Sequence, residues 1–335
     1  MSNEEMSEEK LSEVRQFVDE LLGGKSLNES GEANLTRMEM LRHPVGKRVD
    51  VVIDTDAFNE IDDQFAIAYA LKSEEKLEVK AICAAPFDNY KVNGPAEGME
   101  KSFEEIIRLL SLMGKSEIAP QVYRGSEEYL PDESTPVESE AAARIVELAN
   151  QYTSEEPLYL VALGAITNVA SALLIDSGII DKMVVIWLGG HALNWPHNKE
   201  FNLYQDIAAA RVVFGSGVPL VHIPCNGVVS SFRISRPELE YYLRGKNELC
   251  DYLVDITIQE SDIRYTTPIW SKVIWDVTAV AWLLDDHFLE DSYIHSPIPE
   301  YDHRYAFDIN RHFIRYVYNV NRDKLFNDLI TKLIK

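Results

Sequence analysis

The sequence has little positive charge for its length of 335 residues. Lysine and arginine together number 32, against 55 aspartates and glutamates, and the net charge is −23. Nucleic-acid backbones and anionic bilayer surfaces both bind clustered basic side chains, so this balance argues against either partner. It fits instead a neutral or cationic small molecule, or a substrate that a metal ion bridges.

Cysteines and long apolar runs are also scarce. Cys83, Cys225 and Cys250 lie far apart and form no Cys-x-x-Cys pair, so neither a zinc knuckle nor a disulfide framework is indicated. Buried structural thiols are the favoured interpretation. No apolar stretch reaches the roughly 18 residues of a membrane span. The N-terminal residues lack the basic and apolar segments of a signal peptide, and the sequence therefore predicts a cytoplasmic protein.

From residue 49 onward, apolar strand-like runs alternate with amphipathic helical patterns. This alternation predicts an α/β fold with a parallel sheet covered on both faces. Residues 1–40 are predicted as a helical extension and linker, with a helix over 11–22 and a polar linker at 26–32, ahead of a domain over 45–335. A mostly helical region is predicted over 230–290. The predicted strands are 49–53, 79–85, 158–163, 183–188, 219–224, 305–309 and 313–320, and the predicted helices are 62–71, 98–112, 139–150, 167–174, 207–214, 272–284 and one beginning at Arg322.

Four carboxylates lie where the first predicted strand gives way to a helix. Asp54 and Asp56 end the strand, and Asp62 and Asp63 open the helix. Like charges this close repel and raise one another's pKa, so the arrangement is costly without a compensating cation. Ca²⁺ and Mg²⁺ are the hard cations that carboxylate oxygens suit. Parallel sheets bind ligands at the carboxyl ends of their strands, so the segment predicts a metal site and an enzyme.

Taken alone, Asp54-x-Asp56 has other interpretations. The nucleophilic aspartate of phosphoryl transfer and the Asp-x-Asp of a metal-dependent sugar-nucleotide transferase use the same local pattern. These readings predict a nucleotide-phosphate site. The chain offers no glycine-rich loop with a lysine for phosphates, and its acidity counts against such a site.

The order of the motifs resembles the inosine-uridine-preferring nucleoside hydrolases. In that family a strand ends in Asp-x-Asp-Pro-Gly, and an Asp-Asp pair opens the next helix. Here Ala57-Phe58 replaces Pro-Gly, and the turn is two residues longer. The resemblance runs from about residue 49 to the end of the chain. It is also carried by the turn Leu163-Gly164-Ala165-Ile166-Thr167-Asn168, by Gly189-Gly190 with Asn194, Glu200 and Asn202, and by Trp275-Asp276 at a helix start.

The resemblance implies a nucleoside hydrolase-like open, mostly parallel sheet flanked by helices, with a helical lid region. It implies a homo-oligomer, a dimer or tetramer, that hydrolyses the N-glycosidic bond of a small-molecule ribonucleoside or related N-riboside to ribose and free base. Ca²⁺ would be held by Asp56, Asp63, Asp276 and the carbonyl of Leu163, and Asp56 would activate a water on the metal. The implied substrate-binding residues are Asp62, Asn89, Asn194, Glu200, Asn202 and Trp275.

Two departures from the family concern the leaving group. The family's histidine just before the calcium aspartate is Trp275 here, and its second active-site histidine has no clear counterpart near Tyr123-Arg124. His191 and His197 lie in the predicted ribose-binding loop and are candidate acids, although histidines in polar loops are more often surface residues. Three alternatives stay open: another residue activates the leaving group, the group departs through its own basicity, or the chain is a nucleoside- or ribose-binding protein that keeps the metal and has lost turnover.

Overall fold

The computed structural model describes residues 29–335. This part of the chain contains twelve strands and eleven α-helices. The strands are β1 Val49–Thr55, β2 Leu77–Ala84, β3 Val122–Arg124, β4 Leu158–Ala162, β5 Met183–Leu188, β6 Leu220–Ile223, β7 Arg233–Ser235, β8 Ser271–Val273, β9 Leu289–His295, β10 Ile298–Pro299, β11 Tyr305–Ala306 and β12 Phe313–Val320. The helices are α1 Glu29–Met40, α2 Asp62–Leu71, α3 Pro95–Leu112, α4 Glu140–Ala149, α5 Thr167–Ile175, α6 Phe201–Gln205, α7 Ile207–Ser216, α8 Arg236–Tyr242, α9 Glu248–Arg264, α10 Val277–Leu284 and α11 Arg322–Leu333.

The central sheet has eight strands in the order β3-β2-β1-β4-β5-β6-β12-β9. All neighbours pair in parallel except β12 and β9, which are antiparallel at one edge. Along β1, Val51 and Ile53 pack into the core on one face, and Val52 packs into the core on the other. Both faces of the sheet are therefore covered, and the predicted open, mostly parallel α/β sheet is confirmed.

Several predicted elements agree closely with the structure. The strands predicted over 183–188 and 313–320 and the helix over 62–71 have the predicted bounds. The predicted polar linker at 26–32 is wrong for residues 29–32, which belong to α1. That helix packs on the edge of the sheet, where the Tyr293 hydroxyl donates to the Met38 carbonyl at 2.8 Å. The helix predicted over 11–22 lies outside the described residues.

The helix predicted over 272–284 is wrong in its first part. Residues 271–273 form β8, which pairs antiparallel with β7, and the helix begins only after Asp276. The side chain of Lys272 is buried between two carboxylates from other segments, Glu60 and Glu260, which a local pattern does not show. The region over 230–290 is accordingly less helical than predicted.

The tail departs from prediction at one strand and adds another. Only Tyr305–Ala306 of the strand predicted over 305–309 pairs, and the side chains of Phe307 and Ile309 that follow are exposed. The edge strand β9 has no counterpart among the predicted strands. Within residues 29–335, no helix is both long and apolar enough to cross a bilayer.

Candidate active site

A cavity of about 700 Å³ opens at the carboxyl ends of the parallel strands. The ends of β1, β4, β5 and β6 supply its floor, as expected for an open α/β sheet. All of the predicted site residues line this cavity except Asn194, which is exposed on the loop after β5. The predicted residues that line the cavity are Asp56, Asp62, Asp63, Asn89, Leu163, Glu200, Asn202, Trp275 and Asp276.

The buried carboxylates Asp62, Asp63 and Asp276 form the centre of the floor. One oxygen of each lies within 4.8 Å of the others. Asp62 and Asp63 stand in the first turn of α2, where the helix dipole favours negative charge. Asp276 occupies the N-cap position of α10, yet within the described chain its side chain makes no capping hydrogen bond. Its carboxylate therefore faces the other acids instead of serving as a cap.

Asp56 is the fourth buried acid of this floor. Burial raises its pKa well above the usual value, and repulsion from Asp63 and Asp62 raises it further. Its Oδ2 atom is buried and has no hydrogen-bond partner among residues 29–335. A buried carboxylate oxygen without a partner is costly unless a cation or a proton satisfies it. The oxygen donors at this point thus fit a hard divalent cation.

The backbone at Gly164 lies close to the Asp56 side chain. A Cβ atom built on Gly164 would lie 3.1 Å from Cβ and Cγ of Asp56 and equally close to Cβ of Ala85. Gly164 therefore allows the β4–α5 turn to approach the Asp56 side chain.

Asp54 lies behind the floor and does not line the cavity. Its Oδ1 accepts a hydrogen bond of 2.8 Å from Asn168 Nδ2, and its backbone carbonyl accepts the N–H of Leu163 at 2.7 Å. Burial raises its pKa to about 7, and the bond from Asn168 lowers it. Asp54 thus links the end of β1 to the turn that carries Leu163.

Asn202 connects the acid floor to the adjacent wall. Its Nδ2 donates to the carbonyl of Leu163 at 2.7 Å and to that of Leu188 at 3.0 Å. These two bonds use both amide protons, so Oδ1 is the atom left to accept a ligand hydroxyl. One lone pair of the Leu163 carbonyl remains for another partner.

Glu200 organises the loop beside Asn202. Its carboxylate accepts the backbone N–H groups of Gly190 at 2.7 Å, Asn202 at 3.0 Å and Leu203 at 3.0 Å. Gly190 has φ +72°, and a Cβ there would meet the Tyr305 hydroxyl oxygen at 2.3 Å. Burial raises the pKa of Glu200 to about 7, while the backbone hydrogen bonds lower it. The residue is thus both a helix cap and part of the cavity wall.

The other predicted binding residues are held by contacts of their own. The backbone N–H of Trp275 donates to Asp62 Oδ2 at 2.9 Å, which fixes this half-buried residue on the cavity wall. Asn89 Nδ2 donates to Asn59 Oδ1 at 2.8 Å, and Asn89 Oδ1 accepts the N–H of Lys91 at 2.8 Å. Asn89 is therefore bonded to the longer turn between the two acidic pairs.

Both candidate histidine acids line the cavity, but His191 is a poor proton donor. Burial lowers its pKa to about 4, and the neighbouring His197 lowers it further. Its ring is also held by Asn226, whose backbone N–H contacts Nδ1 at 3.4 Å. At neutral pH His191 is therefore uncharged.

A charged network at the cavity rim was missed from the sequence. Lys272 Nζ lies 2.6 Å from Glu60 Oε2 and 2.9 Å from Glu260 Oε1. Arg264 Nη1 lies 2.5 Å from Glu60 Oε1, and Lys91 Nζ lies 3.3 Å from Glu260 Oε2. Glu260 and Arg264 lie four residues apart on one helix, and this spacing was a signal in the sequence for two charges on one face. Their ion-pair partners come from distant segments.

Comparison with known proteins gives a family match over most of the chain. Residues 51–312 match the model of the family described as inosine-uridine preferring nucleoside hydrolase. A pyrimidine-specific ribonucleoside hydrolase, RihA, of Salmonella paratyphi A is 28% identical over 266 residues, covering 70% of this chain and 79% of that protein. The RihA protein of Photobacterium profundum is 27% identical over 261 residues, with coverage of 70% and 79%.

Solved structures show the same fold. A plant nucleoside hydrolase aligns with a TM-score of 0.69 at 20% identity, covering 85% of this chain and 99% of that one. A purine-preferring ribonucleoside hydrolase from Gardnerella vaginalis aligns with a TM-score of 0.69 at 19% identity, covering 85% and 98%.

Proposed function

The chain belongs to the inosine-uridine preferring nucleoside hydrolase family and is an N-glycosyl hydrolase, and on that premise we propose that it cleaves ribonucleosides or related N-ribosides with Ca²⁺ and with Asp56 as base. The observation that carries the proposal is the buried acid floor, in which Asp56 Oδ2 has no partner among residues 29–335. The products are ribose and the free base.

The proposed metal ligands are Asp56, Asp63, Asp276 and the Leu163 carbonyl. All are oxygen donors, which Ca²⁺ prefers. When bound, the ion would offset the repulsion among the acids and lower the pKa of a coordinated water. Asp62 lies within the same group of oxygens, but its Oδ2 already accepts the N–H of Trp275, and we assign its remaining acceptor capacity to a ribose hydroxyl.

Asp56 is proposed to take the proton of the attacking water. A useful general base has a pKa nearer to the working pH than that of a free carboxylate. Burial and the neighbouring acids raise the pKa of Asp56 in that direction, and a bound cation would offset part of this rise. A carboxylate has two oxygens, so one oxygen of Asp56 would bind the ion and the other would accept the proton.

Ribose hydroxyls are proposed to bind Asp62, Asn89, Glu200 and Asn202, with Trp275 beside the base. Asn202 contributes its free Oδ1, and Glu200 contributes the acceptor capacity that its three backbone bonds leave. An array of this kind rejects sugars that lack the hydroxyls, because its buried polar atoms would be left unpaired. Asn194 is left out of this set, since it is exposed outside the cavity.

The class of base does not follow from the relatives, whose names include both a pyrimidine-specific and a purine-preferring enzyme. We further propose residues 45–335 as the catalytic domain of a cytoplasmic, homo-oligomeric enzyme of nucleoside salvage. The sequence composition and the family resemblance support this part of the proposal.

The proposal is tested with the purified full chain and a panel of N-ribosides. We expect reducing sugar to appear in the presence of Ca²⁺ and to be lost after treatment with EDTA, and a colorimetric assay measures both. If no member of the panel releases sugar, the proposed hydrolysis of N-ribosides is refuted. Nucleoside binding by calorimetry without product would then support the binding protein.

A second prediction uses the close approach of Gly164 to Asp56. Gly164→Ala is expected to lower kcat about 10-fold, because its Cβ displaces the carboxylate by a few tenths of an ångström and a displacement of about 1 Å costs roughly 100-fold. Steady-state kinetics measure the change. The control is Gly215→Ala, whose Cβ would meet Arg311 Nη2 at 3.8 Å and no other atom of residues 29–335 within 4 Å. An unchanged kcat in folded Gly164→Ala would contradict the placement of Asp56 as base.

A further inference from the structure

The rim of the cavity carries an arginine that the proposed chemistry has not used. Glu260, Ile263 and Arg264 all line the cavity from the last turns of α9. Their spacing of three and four residues puts them on one face of that helix. The ribose is proposed to bind the acid floor, so the aglycone extends from the floor toward this rim.

Arg264 is held at the rim by a fixed acid. Its Nη1 atom lies 2.5 Å from Glu60 Oε1, while Lys272 Nζ binds the other oxygen of Glu60 at 2.6 Å. The side chain of Lys272 is only 3% exposed, whereas that of Arg264 is 55% exposed. Glu60 belongs to the turn that is two residues longer than in the family it resembles. The longer turn thus provides the residue that positions Arg264.

The ion pairs of this network leave Arg264 as its most accessible cation. Three cations, Lys91, Lys272 and Arg264, contact two carboxylates, Glu60 and Glu260. Burial raises the pKa of Glu60, but Lys272 and Arg264 lower it to about 2, so this carboxylate stays ionised. Of the three cations, Arg264 has the most exposed side chain, and it is the one that lines the cavity and can meet a ligand there.

Two positions that could protonate the leaving base do not do so at neutral pH. His191 is uncharged at neutral pH, and Trp275 stands where the resemblance predicts a histidine. A departing base that is not protonated carries negative charge, and fixed hydrogen-bond donors can stabilise that charge instead.

We propose that Arg264 stabilises the leaving group, by donating hydrogen bonds from its guanidinium to a carbonyl oxygen of the departing base. The inference rests on the proposed hydrolysis and names the aglycones that fit: oxopyrimidines and oxopurines, whose ring carbonyls share the charge of the glycosidic nitrogen. Glu60 is the positioning residue for Arg264.

The step balances without proton transfer from Arg264. The C1′–N bond breaks, and its electron pair passes to the ring nitrogen and is delocalised onto the carbonyl oxygen. The water oxygen bonds to C1′, and its proton passes to Asp56. The base anion takes a proton from solvent after release, since an arginine keeps its own proton in proteins.

The test compares leaving groups in the full chain with Ca²⁺. Arg264→Gln is expected to lower kcat for uridine or inosine about 100-fold, as for loss of one charge-stabilising donor. Hydrolysis of p-nitrophenyl riboside, whose aglycone departs as a stable phenolate without assistance, should change less than about threefold. Glu60→Gln should show the same pattern as Arg264→Gln with a smaller factor. Its kcat should fall for uridine or inosine and change little for p-nitrophenyl riboside.

A control variant and the pattern of losses between the two kinds of substrate decide the inference. Arg236→Gln removes an exposed arginine, paired with Asp262 and outside the cavity lining, and should leave both substrates unaffected. An equal loss on both substrates, or no loss, in Arg264→Gln would overturn the inference, as would a selective loss only in His197→Gln. Cleavage of p-nitrophenyl riboside but of neither uridine nor inosine would overturn it too. If no riboside is cleaved by the unaltered protein, the proposed hydrolysis itself fails.

Discussion

Asp56→Asn is expected to lower kcat by about 10⁴-fold while the protein remains folded. The amide cannot accept the proton of water, and it is a weaker ligand for a hard cation than the carboxylate. The fold should tolerate the change, because the variant removes one of several buried like charges whose repulsion raises the pKa of Asp56. Steady-state kinetics with the best riboside of the panel, together with circular dichroism, measure the two effects.

A matched control lies on the same strand. Asp50 is the second residue of β1, and its Oδ2 accepts the Tyr152 hydroxyl at 2.6 Å, away from the cavity lining. Asp50→Asn should keep full activity. Turnover retained by Asp56→Asn would remove Asp56 from the role of base.

Asp276→Ala is expected to weaken Ca²⁺ binding by about 10³-fold, which corresponds to about 4 kcal/mol for the loss of one partner of a buried charge contact. Asp276 lies at the N-terminus of α10, and its oxygen is one of the three within 4.8 Å of one another. Calorimetric titration of the metal-free protein with Ca²⁺ measures the change. Unchanged affinity would contradict the assignment of Asp276 as a ligand.

In EDTA, where no Ca²⁺ is bound, Asp276→Ala should not lower the thermal stability of the protein. Without a cation, burial and repulsion from Asp62 and Asp63 raise the pKa of Asp276, which shows that its ionised form is unfavourable there. Asp276→Ala should therefore match or exceed the unaltered protein in Tm in EDTA and lose the rise in Tm that Ca²⁺ produces. Asp285→Ala, in the exposed group Asp285, Asp286 and His287, serves as the control and should leave that rise intact.

Local patterns were sufficient for the parts of the fold that depend on neighbouring residues. The apolar run before Asp54 is a strand because it is buried on both faces, and the segment from Asp62 to Leu71 is a helix with the predicted bounds. The same patterns fail near Lys272, where an amphipathic spacing predicts a helix but residues 271–273 form β8. The buried lysine there pairs with Glu60 and Glu260, which lie far away in the chain.

The motifs likewise place some residues of the candidate site correctly and one of them wrongly. The motifs around Asp56, Leu163 and Asp276 carried the resemblance, and the structure brings these residues to one cavity. Asn194 fitted the motif spacing equally well but lies outside that cavity. Spacing gives only how far apart residues are along the chain, and the ten residues between Gly189 and Glu200 allow more than one orientation for each side chain.

By itself, the sequence determined the alternation of strands and helices, the acidic residues at the end of β1 and the family resemblance, because these depend on the order and short-range spacing of residues. Only the tertiary structure decided that Asn202 supports the Leu163 carbonyl, that the buried Lys272 pairs with Glu60, and that Arg264 is held at the rim by Glu60. Each of these contacts joins segments distant in the chain. Their partners are chosen by how the sheet and helices pack, which no local pattern encodes.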